Sequence, residues 1–232
     1  MRDLRWFSAT ERNMQLSMCV SGADPPTQAS WHLQGCADFL LSLKGMLRAE
    51  VTPQRLVKGT NLVDLIKLLR GVRKVRKLDG LSGRADQLLA ERILATAWYV
   101  HETFVELLDF TFRELLHASE KAACELGATG GRAELQRTMR ALVSRQDPLG
   151  SVLAMRHAWQ ASFNFGALRA HVEDRCVVFR LSGYRDVGPA HAHMIAGFGM
   201  AAAQVSGAPQ ATATVLEAPW NGSSELVYRI QV

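Results

Sequence analysis

From about residue 54 to 164 the apolar residues recur three and four positions apart, and beyond that they recur two apart. The first spacing belongs to a helix with one buried face, the second to a strand with one buried face. The chain therefore reads as a helical part, about 34–166, followed by a sheet part, 167–232. In "TNLVDLIKLLRGV", Leu62, Leu65, Leu69 and Val72 share a helix face, and Thr60 or Asn61 is placed to accept the first free backbone N–H. Further helices are expected in "SGRADQLLAERIL" (82–94), capped by Ser82, and in "YVHETFVELLDFTFRELLHA" (99–118), which aligns Phe104, Leu107, Leu108 and Leu115. Another is expected in "GRAELQRTMRALVSRQ" (131–146), after a break at Gly130-Gly131. The last, in "DPLGSVLAMRHAWQASFNFG" (147–166), has Asp147 as cap, Pro148 in the first turn and Gly166 past the end. A short helix is expected over 36–47, and residues 1–33, which lack either period, read as a loosely ordered extension outside a single domain of 34–232.

After Gly166 the alternation of Leu168, Ala170, Val172 and of Val177, Phe179, Leu181 predicts a hairpin turning at Asp174-Arg175. A helix from Pro189 to about Val205 and two strands, 211–217 and 225–232, follow, the latter joined through Asn221-Gly222. The fold class is thus α+β, an N-terminal helical layer before a four-stranded antiparallel β-β-α-β-β sheet.

Composition sets bounds on function. With 48 % hydrophobic and 21 % charged residues the chain is an ordinary globular one. The first residues have no signal-peptide pattern, and the longest apolar run, "MIAGFGMAAAQV", is shorter than the roughly 18 residues of a membrane span. The four cysteines, Cys19, Cys36, Cys124 and Cys176, are widely separated, as reduced thiols of a cytoplasmic protein would be.

A net charge of +5 directs attention to "LIKLLRGVRKVRK" (65–77). At about 100° per residue, Lys67, Arg70, Arg73, Lys74 and Lys77 fall in a sector of about 120°, opposite Leu65 and Leu69, with Arg76 on the apolar side and the helix ending near Val75. This is either the wet side of a core helix or a docking face for an acidic protein. The absence of interleaved aromatic residues argues against nucleic acid. Reversing Arg70, Arg73 and Lys74 to Glu is expected to change stability by less than about 1 kcal/mol.

"GFGMAA" (197–202) matches a dinucleotide fingerprint, but it follows a helix start at Pro189, which puts its glycines inside a helix that lies close to the sheet. His191 and His193 are two apart on that helix and point in different directions, so no metal site is expected. No nucleophile elbow, zinc-protease motif, Walker loop or carboxylate pair is found, and the chain is expected not to be an enzyme.

Six segments, taken in order and spacing, carry a resemblance: "VKGTNLVDLIKLL", "ERILATAWYVHETFVELLDF", "QDPLGSVLAMRHAW", "RLSGYRD", "AHMIAGFGMAAAQVSGA" and "ELVYRIQV". Together they resemble a myxobacterial paralogous family of unknown function, similar in layout to heme nitric-oxide/oxygen-binding domains and to vinyl-reductase-type small-molecule sensors. The resemblance covers about 57–232. It implies a non-catalytic cytoplasmic sensory or adaptor domain that binds a small ligand or a protein partner, with a homodimer as one form, and with no cofactor. Its alternative is a heme-dependent gas sensor with His157 as iron ligand, although the tyrosine, serine and arginine that grip heme carboxylates in such domains have only Ser182, Tyr184 and Arg185, differently arranged, to answer them. An enzyme of unrecognised class is the further alternative.

Overall fold

The computed structural model describes residues 54–232, with six α-helices and six strands among them. The extension expected over 1–33, the helix expected over 36–47, Cys19 and Cys36 all lie outside the described residues.

The helical part opens with a strand that the periodicity does not reveal. β1 (Leu56–Lys58) pairs antiparallel with β2 (Trp98–Val100), Val57 opposite Tyr99. Three residues are too few to show a period of two, and β2 occupies the expected start of the third helix. Asn164 holds β1 in place: its Oδ1 accepts from Leu56 N–H at 2.6 Å and its Nδ2 donates to the Gln54 carbonyl at 3.0 Å.

α1 (Gly59–Arg73) buries Leu62, Leu65, Ile66 and Leu69. Neither Thr60 nor Asn61 caps it. The first free N–H groups, of Gly59 and Thr60, donate instead to the carbonyls of Ala97 and Ala95 at 2.9 and 3.1 Å, so the chain leading into β2 caps α1. α2 (Gly83–Ala90) has the expected cap, Ser82, whose side chain accepts from Ala85 N–H at 3.2 Å. α3 (His101–Glu114) buries Phe104, Leu107 and Leu108.

α4 (Glu120–Arg137) departs most from expectation, because it runs unbroken through Gly127, Gly130 and Gly131. Two of these glycines mark a close helix contact rather than a break. A β-carbon on Gly127 would collide with the Met194 backbone, and one on Gly131 would press on Phe198. α5 (Pro148–Ser162) follows its signals, with Asp147 Oδ1 accepting from Gly150 N–H at 2.8 Å.

The sheet part is as the alternation indicates. β3 (Ala167–Glu173) and β4 (Cys176–Ser182) form the hairpin, α6 (Pro189–Val205) crosses over, and β5 (Thr212–Glu217) and β6 (Leu226–Gln231) complete an antiparallel sheet of order β3-β4-β6-β5. Val177 pairs with Val172, Phe179 with Ala170 and Leu181 with Leu168, and Asp174 makes the turn at φ +52°. α6 is packed on two sides: Gly197 abuts the Cys124 carbonyl of α4, while Gly199 faces Ile230 of β6. The small residues of "GFGMAA" therefore serve two close approaches, to α4 as well as to the sheet.

Candidate ligand-binding site

The helices and the sheet line a partly open cavity of about 360 Å³, within the size range of small-molecule sites, roughly 300–1,000 Å³. Its wall is mainly apolar. α1 contributes Leu65 and Leu68, α6 contributes Met194 and Phe198, and the sheet closes one side with Leu168 and Tyr228. The α5 residues that line it are Met155, Ala158, Trp159 and Ser162. His157 lies on the other side of that helix, exposed, its Nε2 accepting from Arg156 Nε at 3.3 Å.

Among the described residues the charged ones on the wall are Asp64 and Glu134, and none of the described Lys or Arg residues lines it. Both carboxylates are already compensated: Lys67 meets Asp64 at 3.2 Å, and Arg137 reaches Asp64 at 3.3 Å and Glu134 at 3.9 Å.

One histidine, His191, lines the cavity. It sits in the first turn of α6, after Pro189. Its Nδ1 is hydrogen-bonded to the Tyr184 hydroxyl at 2.7 Å, and the same hydroxyl bonds His101 Nε2 at 2.7 Å. The result is a buried His101–Tyr184–His191 chain whose members come from the start of α3, the β4–α6 loop and the start of α6. His101 is set by the residue just before β1, since its backbone N–H donates to the Arg55 carbonyl at 3.1 Å. Aromatic rings surround the chain: Phe165 meets His101 edge-on at 4.5 Å, Phe104 meets His191 edge-on at 5.1 Å, and Trp159 stacks on Phe163 at 4.1 Å.

All three groups are held neutral. Burial lowers His191 to about 3, helped by the nearby His101. Burial lowers His101 to about 4, with Glu102 and Asp186 opposing and Arg55 assisting. Burial raises Tyr184, and Asp186 adds to this. Both histidines also lie at helix N-termini, where the positive end of the helix dipole disfavours an imidazolium.

The residues of the basic stripe are placed apart from the cavity wall, and most are engaged. Arg70 is half-buried and donates Nε to the Leu89 carbonyl at 2.7 Å and a guanidinium N–H to the Glu91 carbonyl, tying α1 to the end of α2. Arg73 pairs with Asp86 at 3.1 Å, Lys77 with Asp79 at 2.7 Å, and Lys67 with Asp64. Among the described residues Lys74 alone of the five has no such partner. α1 ends at Arg73 rather than near Val75, so Arg76 leaves the helix and reaches the Glu114 carbonyl at 3.1 Å. His193 points away from His191 and lies 3.4 Å from Glu120. Cys124 and Cys176 are unpaired, and among the described residues no helix is long and apolar enough to cross a membrane.

The arrangement of helices and sheet matches solved structures of H-NOX domains. One, from a study of heme distortion in the H-NOX family, is 14% identical, with TM-score 0.52, over 75% of this chain and 94% of that one. A Cs H-NOX mutant is 12% identical, with TM-score 0.51, over 75% of this chain and 95% of the other. An oxygen-binding H-NOX domain related to soluble guanylate cyclases is 13% identical, with TM-score 0.50, over 75% and 94%. The chain has the H-NOX fold. At these identities the likeness is one of fold alone. No family model matches the chain, and no curated protein matches it.

Heme is named for the H-NOX family in one of those structures, and the lining tests whether the residues of this chain suit it. Heme presents two carboxylates and needs an axial ligand. The wall offers two carboxylates and no cation, Arg185 is exposed, and Tyr184 is committed to two histidines. The expected ligand, His157, does not line the cavity. These residues do not fit heme held through His157 and a carboxylate clamp.

The sequence reading missed the chain of three. Tyr184 and His191 are seven residues apart, but His101 is 83 residues from Tyr184, and nothing local links them. The available signal was a histidine directly before an apolar helix face, in "YVHETFVELL".

Proposed function

We propose that this is a non-catalytic sensory domain whose cavity takes a small, uncharged, largely apolar molecule and passes its occupancy to a protein partner. The observation that carries the reading is an apolar cavity bordered by compensated carboxylates and by a histidine held neutral. A charged ligand would find no opposite charge to offset its desolvation. Lack of catalysis is supported by the same chemistry: bases with pKa values of about 3 and 4 draw protons weakly at neutral pH. The unpaired Cys124 and Cys176 suit a cytoplasmic setting.

The second reading, a heme-dependent gas sensor, draws on the fold shared with H-NOX domains. In it His191, which lines the cavity, takes the place foreseen for His157.

Absorbance and thermal unfolding of the purified full chain separate the two. The proposal expects a colourless protein, no Soret band on adding hemin, and stabilisation by p-xylene that grows with its concentration. A Soret band with hemin that His191→Ala removes would establish the heme reading, and one that His157→Ala removes would restore the original ligand.

A further inference from the structure

We infer that His191 Nε2 is the polar recognition atom of the cavity, and that the His101–Tyr184–His191 chain reports whether the ligand donates or accepts a hydrogen bond there. The inference rests on the ligand-binding reading above and assigns it a ligand class: a compact apolar body carrying one hydroxyl, carbonyl or comparable group.

His191 lines the cavity and its Nδ1 is taken by Tyr184. Its Nε2 has no hydrogen-bond partner among the described residues, yet no fully enclosed side-chain nitrogen or oxygen there is left without one. Nε2 is therefore open, and the space it opens onto is the cavity. The same reasoning applies to the other end: His101 Nε2 is bonded to Tyr184, and Nδ1 is neither partnered nor fully enclosed. That end is under the charges of Glu102, Arg55 and Asp186, and Arg55 and Asp186 form an ion pair at 2.5 Å with the Asp186 side chain 73% exposed. The chain thus runs from the cavity to a wet, charged edge.

A neutral imidazole carries one N–H, and a phenol hydroxyl donates once. Only two arrangements satisfy both hydrogen bonds without charge and also give the buried Tyr184 hydroxyl proton an acceptor. In the first, His101 Nε2–H donates to Tyr184, the Tyr184 hydroxyl donates to His191 Nδ1, and His191 Nε2–H is a donor to a carbonyl in the cavity. In the second, His191 Nδ1–H donates to Tyr184, Tyr184 donates to His101 Nε2, His101 keeps its proton on Nδ1, and His191 Nε2 is an acceptor for a hydroxyl in the cavity. Each holds three protons and no net charge. Passing from the first to the second releases one proton to water at His191 Nε2 and takes one from water at His101 Nδ1. A carbonyl ligand selects the first state and a hydroxyl ligand the second, so the His101 proton moves between Nε2 and Nδ1 in response to a molecule His101 does not touch.

The experiment uses the full chain with uniformly 15N-labelled histidine and two probes of similar size, p-cresol and 4-methylbenzaldehyde, with p-xylene as the apolar reference. Imidazole 15N shifts are expected to place the His191 proton on Nδ1 and the His101 proton on Nδ1 with p-cresol, and both on Nε2 with the aldehyde. Tyr184→Phe should leave the His191 response and abolish that of His101. In titrations, the preference for p-cresol over p-xylene should fall about 3- to 10-fold in His191→Phe, the usual worth of one hydrogen bond. If p-xylene binds while the wild-type tautomers are the same with both polar probes, the relay is overturned and the ligand-binding reading stands. If none of the three binds, both fall. The wild-type spectra decide the matter even where a variant does not fold.

Discussion

The basic stripe and the buried triad are both clusters of titratable groups, and they are built in opposite ways. Along α1 and just past its end the paired charges lie at the surface, where Lys67, Arg73 and Lys77 each meet a nearby carboxylate in water. Such pairs are worth about 0–1 kcal/mol. In the triad no charge is present, yet every bond is buried, and a lost partner leaves a polar atom without water. Charge density catches the eye in a sequence, whereas the physical stakes lie with three uncharged groups that burial keeps neutral.

The largest expected effect breaks the triad at its centre. Tyr184→Phe removes the partner of two buried histidine nitrogens and should cost about 2–6 kcal/mol in denaturant unfolding, at about 1–3 kcal/mol for each orphaned group. A cost under about 1 kcal/mol would show that the two hydrogen bonds do not hold the site together.

Next comes acid. Because His101 and His191 sit below their ordinary value of 6.5 when folded, at about 4 and about 3, the unfolded chain binds protons first as the pH drops. Their contribution is complete above about pH 6.5 and declines as the pH falls toward the folded values, by about 1.4 kcal/mol per pH unit for each histidine. Unfolding measured between pH 7 and 5 should show this slope, and His191→Phe should remove about half of it.

Within the stripe the effects shrink and separate. Arg70→Ala should cost about 1–2 kcal/mol, because its guanidinium ties α1 to the Leu89 and Glu91 carbonyls. The triple reversal of Arg70, Arg73 and Lys74 therefore destabilises by more than a surface change would, and the damage belongs to Arg70. Lys74→Glu, at an exposed position without a partner among the described residues, should stay within about 0.5 kcal/mol. Thermal unfolding of these variants side by side would show whether the stripe is one surface or a structural tie beside a wet edge.

How much of this was legible depended on the range of the interaction. The hairpin at Asp174, the crossing helix from Pro189 and the Asp147 cap are local, set by neighbours in sequence, and the alternation and turn residues announce them. Gly130-Gly131 misled because a glycine pair signals a break only if nothing packs against it, and here α6 lies against Gly131. β1 and β2 were too short to show a period, and the backbone capping of α1 by Ala95 and Ala97 uses no side chain that a pattern could contain. Of the site, His191 was visible as a helix histidine and Tyr184 as part of "LSGYRD", but their connection to His101 exists only once β1 fixes the start of α3.

The central claim is that the cavity, and not the stripe, is where this domain meets its ligand. Fluorescence titration with the neutral dye N-phenyl-1-naphthylamine tests it most directly, in the wild type, in Ala158→Leu, which fills the wall of α5, and in a Lys74 and Lys77 reversal to Glu. The account predicts saturable binding that the leucine abolishes, with the fold intact, and that the reversal leaves within about twofold. Binding that survives Ala158→Leu and disappears with the stripe reversal would contradict it.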